Sequence, residues 1–200
     1  MTLDGTSGIT QLTGSIVMSG STSGTVTIIP TATAGSNTAT LPAATGTVMV
    51  SGNMPAFSAY LGANQNISNN TLTKIQINTE EFDTNNYFDN STNYRFTPLI
   101  AGYYLIEGKL ENSASTSPTR AFVTIYKNGS EYKRGVDTLV PTTTGVQAVN
   151  ISALVYLNGS TDYIELYGYI SANTPVISGA SAGGQGVFST YFQGILIRGA

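Results

Sequence analysis

The chain has 200 residues and a mass of 20.9 kDa, which is enough for one sizeable core, or one core with an appendage. Thr, Ser, Asn and Gly supply 87 of these residues, whereas only 19 are charged. Ser, Thr, Asn and Gly are unfavourable in helix interiors and Thr suits a pleated sheet, so this composition nearly excludes a helical or α/β protein.

The chain contains neither His nor Cys, which removes thiolate chemistry, disulfides and every nucleophile that depends on an imidazole base. A net charge of −3, with no basic cluster larger than Lys133 and Arg134, predicts no binding to nucleic acid. No window approaches about 18 uninterrupted apolar residues, and the start of the chain lacks the basic and apolar regions of a signal peptide. We therefore expect a protein without catalytic activity that is soluble, not inserted in a membrane and not Sec-exported.

Residues 1–54 differ in composition from the rest of the chain. No charged side chain lies between Gly5 and Thr73, and the first aromatic residue is Phe57. Short β-branched runs at 14–18, 24–29 and 47–50 predict strands, but a segment with so few large side chains cannot offset the entropy of folding alone. We expect a β-rich arm that is buried in an assembly; the alternative, a floppy low-complexity leader, remains open. Its expected docking residues are Ile16, Val17, Val26, Ile28, Val48 and Val50.

Residues 55–200 contain all the Tyr and Phe side chains and form the predicted folded domain. Polar turns such as Asn128-Gly129 and Asn158-Gly159 separate apolar runs at regular spacing, which is typical of two antiparallel sheets in a sandwich or jelly roll. The predicted strands are Phe57–Leu61, Leu72–Asn78, Asn93–Thr97, Gly102–Glu111, Arg120–Lys127, Glu131–Leu139, Gln147–Leu157, Asp162–Ala172 and Val187–Arg198.

A spaced run in the centre of this domain reads Ile77-x5-Asp83-x4-Phe88-x7-Phe96-x5-Gly102-x-Tyr104-x-Ile106. It resembles the signature of the complement C1q-like domain, a jelly roll shared in outline with tumour necrosis factor. The family has aromatic residues at the first and last of these positions, and its third gap is one residue shorter. The segments 162–166 and 188–196 look like the family's late and closing strands. The resemblance therefore covers residues 55–200.

The resemblance implies a homotrimer around an axis lined by aromatic and apolar residues. Tyr side chains suit such contacts because they combine a large area with low rotamer entropy and a polar tip. Tyr163, Tyr167 and Tyr169 share one strand parity, so one face of that strand carries three rings. The expected residues of the trimer seam are Tyr104, Tyr167, Tyr169 and Phe192, although any one of these rings could instead fill the core of the monomer.

In the arm, the segments 24–28 and 40–46 are similar to a segment near the start of tailed-bacteriophage fibre and appendage proteins. Together with a jelly-roll head, this resemblance implies a protein of the virion surface. We expect a homotrimeric knob or short fibre whose arm docks on other virion proteins. Its role is that of a host-contact adhesin, binding a surface glycan or protein, or that of a capsid decoration (cement) protein. The alternative is a secreted lectin-like module of the same fold.

Two weaker candidates concern carboxylates. Four of them, with Asn residues among them, lie within ten residues and are the oxygen ligands that calcium prefers, and related domains can hold calcium. This acidic segment is otherwise read as a solvated loop. The candidate calcium ligands are Glu80, Glu81, Asp83 and Asp89. Glu107 with Glu111, or Asp162 with Glu165, could form a carboxylate pair for glycoside cleavage, but surface charge is the commoner role and no catalysis is expected.

Overall fold

The computed structural model describes residues 15–33, 39–40, 43, 45–112, 118–139, 146–180 and 188–200. The chain divides into two compact units between Gly46 and Thr47, earlier than the expected boundary after residue 54. Residues 47–54 belong to the second unit because Met49 packs against its core and Asn85 donates a hydrogen bond to the carbonyl of Gly52. The run at 47–50, predicted as a strand, is irregular and leads into a 3₁₀ turn, Ser51–Asn53, so this strand prediction is wrong.

The described part of the first unit contains one hairpin. Strand β1 (Ile16–Ser19) pairs antiparallel with β2 (Thr25–Ile28), which confirms two of the predicted strands. The intervening loop closes with a hydrogen bond from the Gly20 N–H to the Gly24 carbonyl, 2.9 Å long. Gly24 has a φ of +77°, which an L side chain rarely adopts, so glycine is required at this corner.

The second unit is built from antiparallel strands without an α-helix among the described residues. Its strands are β3 (Ala56–Tyr60), β4 (Gln65–Asn66), β5 (Thr73–Lys74), β6 (Thr79–Asp83), β7 (Phe88–Asp89), β8 (Arg95–Phe96), β9 (Gly102–Glu111), β10 (Arg120–Lys127), β11 (Ser130–Leu139), β12 (Ala148–Leu157), β13 (Ile164–Ser171), β14 (Val176–Ile177) and β15 (Tyr191–Gly199). No helix in the described residues is long and apolar enough to cross a membrane.

Two sheets form the sandwich. One is five-stranded, in the order β12-β9-β15-β3-β6. The other is six-stranded, in the order β11-β10-β13-β8-β7, with β5 also paired to β13. The short strands β14 and β4 form a separate pair. We call the two outward surfaces the face of the five-stranded sheet and the face of the six-stranded sheet.

The core follows from strict alternation along the strands, since successive side chains of a strand point to opposite faces. In β9 every second residue from Gly102 to Leu110 is buried, and those between them are exposed or half-buried. At the centre, the ring of Phe57 stacks on Phe88 and Phe96 with centroid distances of 5.0 and 4.3 Å. Phe192 meets Phe57 edge-on. These aromatic contacts join strands that are distant in sequence.

The two predicted turns have the expected chemistry. Asn128 and Gly129 connect β10 to β11 with φ values of +53° and +79°, as a two-residue hairpin loop requires. The side-chain oxygen of Asn158 accepts hydrogen bonds from the backbone N–H groups of Ser160, Thr161 and Asp162. The Asn-Gly signals therefore marked real corners.

The predicted strand positions are partly wrong in the segment before β9. The predicted strand at 72–78 contracts to Thr73–Lys74, and the acidic segment read as a loop forms β6. Strands β4, β7 and β14 were not predicted. Strands of two residues carry no periodicity, and β6 pairs with β3 despite its two adjacent glutamates because its edge position leaves their side chains near solvent.

Candidate functional site

An apolar patch covers one end of the face of the five-stranded sheet. Strand register aligns it in two rows: Leu154 of β12 lies beside Leu105 of β9, which lies beside Ile195 of β15, and Tyr156 lies beside Tyr103 in the next row. A register shift after Leu196 in β15 adds Ile197 to the surface. We call this set the apolar patch; its members are Tyr103, Leu105, Leu154, Tyr156, Ile195 and Ile197.

The apolar patch is open to solvent in the single chain. Leu154 is 55% exposed, Ile197 54% and Tyr103 46%. The rings of Tyr103 and Tyr156 meet with centroids 5.4 Å apart, so they form one continuous aromatic surface. A contiguous set of large exposed apolar side chains marks an interaction surface rather than an ordinary protein exterior.

The patch ends at a row of polar side chains on the same face. Glu107 of β9 lies beside Ser152 and Gln193, and its carboxylate accepts a 2.8 Å hydrogen bond from the Gln193 amide. Lys109 pairs with Glu111 at 3.2 Å. A recess of about 210 Å³ lies where the apolar and polar rows meet, and Phe82 of β6, 51% exposed, forms part of its wall. The apolar patch thus borders a row of polar side chains on one side, and apolar areas beside polar ones are found in protein interfaces.

The face of the six-stranded sheet has a different character. Its aromatic rings stack on one another: Tyr126 on Tyr167, with centroids 3.8 Å apart, and Phe122 on Tyr169, at 4.6 Å. The guanidinium of Arg134 lies 4.1 Å from the Phe122 ring centroid and covers it. These ring faces are therefore covered by other side chains of the same chain, and this surface offers little apolar area to a partner.

The charges on the face of the six-stranded sheet are paired with one another. Arg120 binds Asp137 through two hydrogen bonds of 2.9 and 2.6 Å. Arg134 binds Glu131 in the same two-pronged manner, and Lys74 forms an ion pair with Glu165. The hydrogen bonds from Arg120 hold the pKa of Asp137 below its ordinary value, and those from Arg134 do the same to the pKa of Glu131. These carboxylates remain ionised at neutral pH and are not candidates for a general acid.

The structure does not bring together the four residues expected at the trimer seam. Tyr104 and Phe192 are 0% exposed and lie in the core, where the Tyr104 hydroxyl donates a 2.7 Å hydrogen bond to the Ile100 carbonyl. These two rings fill the core of the single chain, which is the alternative left open for them, and they offer no exposed surface to a seam. Tyr167 and Tyr169 lie side by side on the face of the six-stranded sheet, on the opposite side from the apolar patch. Tyr167 and Tyr169 share one face of β13, as predicted, whereas Tyr163 precedes the strand.

The apolar patch could have been found from strand parity. Glu107, Lys109 and Glu111 alternate along β9, and three charges at one parity identify the outward side of a strand. Tyr103 and Leu105 have the same parity as these charges, so they had to point outward. Of the adjacent pair Tyr103 and Tyr104, the residue expected at the trimer seam is Tyr104, which belongs to the family signature and occupies a core position.

The four candidate calcium ligands do not form a common site. Glu81 accepts a 2.7 Å hydrogen bond from Ser58, and Asp83 accepts two from the backbone N–H groups of Asn85 and Phe88. Asp89 accepts hydrogen bonds from the loop that follows β7. Within the described ranges, no three acidic side chains converge as a metal site requires. The expected ligand cluster is therefore not assembled, because its carboxylates stabilise separate parts of the chain.

The candidate carboxylate pairs are also engaged elsewhere. Asp162 binds the ammonium group of Lys127 at 2.8 Å and accepts hydrogen bonds from Asn128 and the backbone of Asn158. Burial opposes ionisation of Asp162, but these hydrogen bonds outweigh it and lower its pKa. Glu165 is held by Lys74. Polar loops at 64–70, 113–119, 141–145 and 171–186 have the composition expected for recognition of a host sugar or protein. Of these loops, the segments 113–117, 141–145 and 181–186 lie outside the described residues.

The expected docking residues of the arm fall into two groups. Ile16, Val17, Val26 and Ile28 lie on the β1–β2 hairpin of the first unit and are exposed. Val48 and Val50 belong to the second unit, although they are exposed there at 69% and 57%.

Comparison with protein-family models and with curated protein sequences finds no match. Solved structures do match. The globular domain of zebrafish complement 1qA protein is 14% identical, with a TM-score of 0.51 over 73% of this chain and 99% of that one. The Eiger TNF from S. frugiperda is 7% identical, with a TM-score of 0.55 over 74% of this chain and 93% of that one. Murine APRIL at pH 5.0 is 8% identical, with a TM-score of 0.52 over 72% of this chain and 99% of that one.

These similarities define the class of fold. The chain contains an all-β, antiparallel jelly-roll sandwich of the C1q and TNF type, which confirms the predicted fold class. At these levels of identity the comparison concerns the fold alone, and function must be argued from the surface of this chain.

Proposed function

We propose that this chain is a structural protein of a tailed-bacteriophage virion without catalytic activity. In this proposal it is a homotrimer whose jelly-roll head is displayed on the particle surface and whose arm attaches to other virion proteins. The observation that carries the homotrimer is the apolar patch on the face of the five-stranded sheet.

Copies of the same chain are the occupants that fit the patch. Burying the exposed half of a Leu, Ile or Tyr side chain stabilises by about 1 kcal/mol each, so several residues of the patch acting together favour association. A net charge of only −3 per chain produces little repulsion between copies. The resemblance to C1q-like domains implies a threefold assembly. The paired charges on the opposite sheet face suit a surface that remains in water.

The virion location is supported by the arm. It contains no charged side chain after Asp4 and exposes a hairpin of apolar and hydroxyl side chains, which suits burial against other proteins. The segments similar to phage fibre leaders lie in the same part of the chain. Two roles fit: a tail-fibre adhesin that contacts a host glycan or protein, or a decoration protein that clamps neighbouring capsid subunits.

The first test concerns the oligomeric state. Light scattering coupled to gel filtration should give a native mass of about three times 20.9 kDa. Ile195→Glu places a carboxylate in the centre of the patch, where burial without a partner costs several kcal/mol, so we expect this variant to be monomeric at micromolar concentration.

The matched control is Val136→Glu on edge strand β11 of the other sheet. Val136 is 45% exposed and Ile195 44%, so the two substitutions impose a similar local change. We expect Val136→Glu to remain trimeric and both variants to retain the circular dichroism of a β-protein. A stable monomer for the unsubstituted chain, or dissociation by both variants alike, would count against the proposal.

The second test concerns location. Quantitative mass spectrometry of purified phage particles should detect the chain. Dozens to hundreds of copies on the head indicate decoration, whereas a few trimers at the tail indicate host contact. Absence from particles, together with secretion of the chain by its host cell, would favour the lectin-like alternative and contradict the virion role.

A further inference from the structure

The β1–β2 hairpin separates its side chains into two unlike faces. Directly opposed residues of an antiparallel pair point to the same face. Ile16 lies opposite Ile28 and Met18 opposite Val26, so one face consists of four large apolar side chains. The other face pairs Val17 with Thr27 and Ser19 with Thr25, and three of its four members carry a hydroxyl.

The apolar face of the hairpin is open to solvent in the part of the chain that the structure describes. Its side chains are exposed by 41% at Ile16, 47% at Met18, 63% at Val26 and 56% at Ile28. An isolated two-stranded hairpin is at best marginally stable in water and needs a further strand or surface against its apolar face. This face therefore needs a covering surface that the described hairpin does not itself supply.

Three observations indicate that other copies of the same hairpin form this contact. The hairpin carries no charge, so identical copies meet without repulsion, and a charged partner would find no complement. Four side chains are too few to hold molecules together alone, since a standard interface involves about 20–30 residues a side. Once the heads are joined, however, covalent linkage through the 18 residues between Ile28 and Thr47 gives the hairpins an effective concentration on the order of millimolar.

We propose that the apolar faces of three hairpins, one from each chain of the trimer, pack against one another and form a short three-chain β-stalk. This inference rests on the proposed homotrimer. It changes the role of the expected docking residues, because Ile16, Val26 and Ile28 are then interior to the stalk. The outward surface that remains for virion proteins consists of Val17, Ser19, Thr25 and Thr27.

The absence of cysteine allows a direct test in the full-length chain. Met18→Cys places a thiol on the apolar face, and Ser19→Cys places one on the opposite face one residue further along the same strand. Val26→Cys and Thr27→Cys repeat the comparison on the other strand. Each variant is oxidised mildly and run on a non-reducing denaturing gel. We expect a disulfide-linked dimer for Met18→Cys and Val26→Cys, at least tenfold more abundant than for Ser19→Cys and Thr27→Cys.

Equal crosslinking on both faces, or none at either apolar position, would overturn the stalk. Light scattering of the same variants under reducing conditions separates the two possible failures. A trimer without face-selective crosslinking refutes the stalk and leaves the homotrimer intact. A monomer refutes the homotrimer, and the stalk with it.

Discussion

At the scale of single residues, Asp89 shows how a carboxylate in this chain serves the backbone. Its two oxygens accept hydrogen bonds from the N–H groups of Ser91, Thr92 and Asn93 and from the Asn93 amide, at 2.7 to 3.1 Å. These bonds order the turn that leads to Tyr94, whose φ is +51°. The backbone hydrogen bond from Thr92 contributes most to holding the pKa of Asp89 well below its ordinary value of 3.8.

Asp89→Asn is expected to lower the free energy of unfolding by about 1 kcal/mol at neutral pH, because a neutral amide accepts these hydrogen bonds less strongly. The pKa of Asp89 is depressed in the folded state, so its contribution is complete above the unfolded pKa near 3.8 and is lost as the pH falls further. Urea unfolding at one protein concentration, repeated from neutral pH to about pH 2.5, measures the difference. If Asp89→Asn lowers the free energy of unfolding by the same amount at every pH in this range, the stabilising role of the Asp89 charge is contradicted.

Glu80→Gln serves as a control, because its expected effect on the free energy of unfolding is opposite to that of Asp89→Asn. Burial and the nearby charge of Asp83 raise the pKa of Glu80 above 4.5, so its ionised form opposes folding at neutral pH. At neutral pH, the free energy of unfolding of the variant should equal that of the unsubstituted chain or exceed it by a few tenths of a kcal/mol. This difference should shrink as the pH falls through the folded pKa and vanish below the unfolded pKa near 4.5, where Glu80 is protonated in both the folded and the unfolded state.

At the scale of elements, strand β9 separates two kinds of aromatic residue. Tyr104 is fully buried and its ring meets Phe96 edge-on at 5.7 Å, whereas its neighbour Tyr103 is 46% exposed and meets Tyr156. Burial raises the pKa of the Tyr104 hydroxyl, which donates its hydrogen bond to the Ile100 carbonyl. Tyr104 thus contributes to the core, whereas its neighbour Tyr103 contributes to the apolar patch.

Tyr104→Phe should lower the unfolding free energy by about 1–2 kcal/mol, because the Ile100 carbonyl loses its buried donor. The native mass should not change. Tyr103→Ser should weaken association of the chains. It should lower the unfolding free energy of the dissociated head less than Tyr104→Phe does. Chemical unfolding and sedimentation velocity on the two variants measure both quantities. If Tyr104→Phe dissociates the assembly while Tyr103→Ser does not, the assignment of the faces is wrong.

At the scale of the whole molecule, the sandwich distributes polarity unequally between its two sheets. One sheet face carries stacked rings and paired charges, while the other carries the apolar patch beside a polar rim. This division allows one face to be buried in an assembly while the other remains in water.

The division into two units predicts how truncated chains behave. A chain comprising residues 47–200 contains the entire patch and the core, so it should fold cooperatively and remain trimeric by light scattering. Residues 1–46 alone should show no cooperative unfolding, because the hairpin they contain has no buried side chain among its described residues. A monomeric head fragment would contradict the placement of the self-association surface.

Much of the fold could be predicted from the sequence alone. Composition nearly excluded a helical protein, and apolar runs between polar turns located the long strands β9, β10, β12 and β13. The Asn-Gly pairs marked two corners, and the spaced signature indicated the jelly roll. These features are local, because side-chain alternation and turn chemistry depend on residues close together in the chain.

Which residues share a surface was decided by tertiary structure. The apolar patch joins β9, β12 and β15 through a register that no local pattern specifies. In β6, Glu81 binds Ser58 of β3, whereas Asp83 binds the backbone of Asn85 and Phe88. Parity determines that Tyr103 points outward and Tyr104 inward, but only strand pairing places Leu154 and Ile195 beside Leu105. Long-range pairing sets the neighbours of a side chain, and the neighbours determine whether it serves the core or the surface.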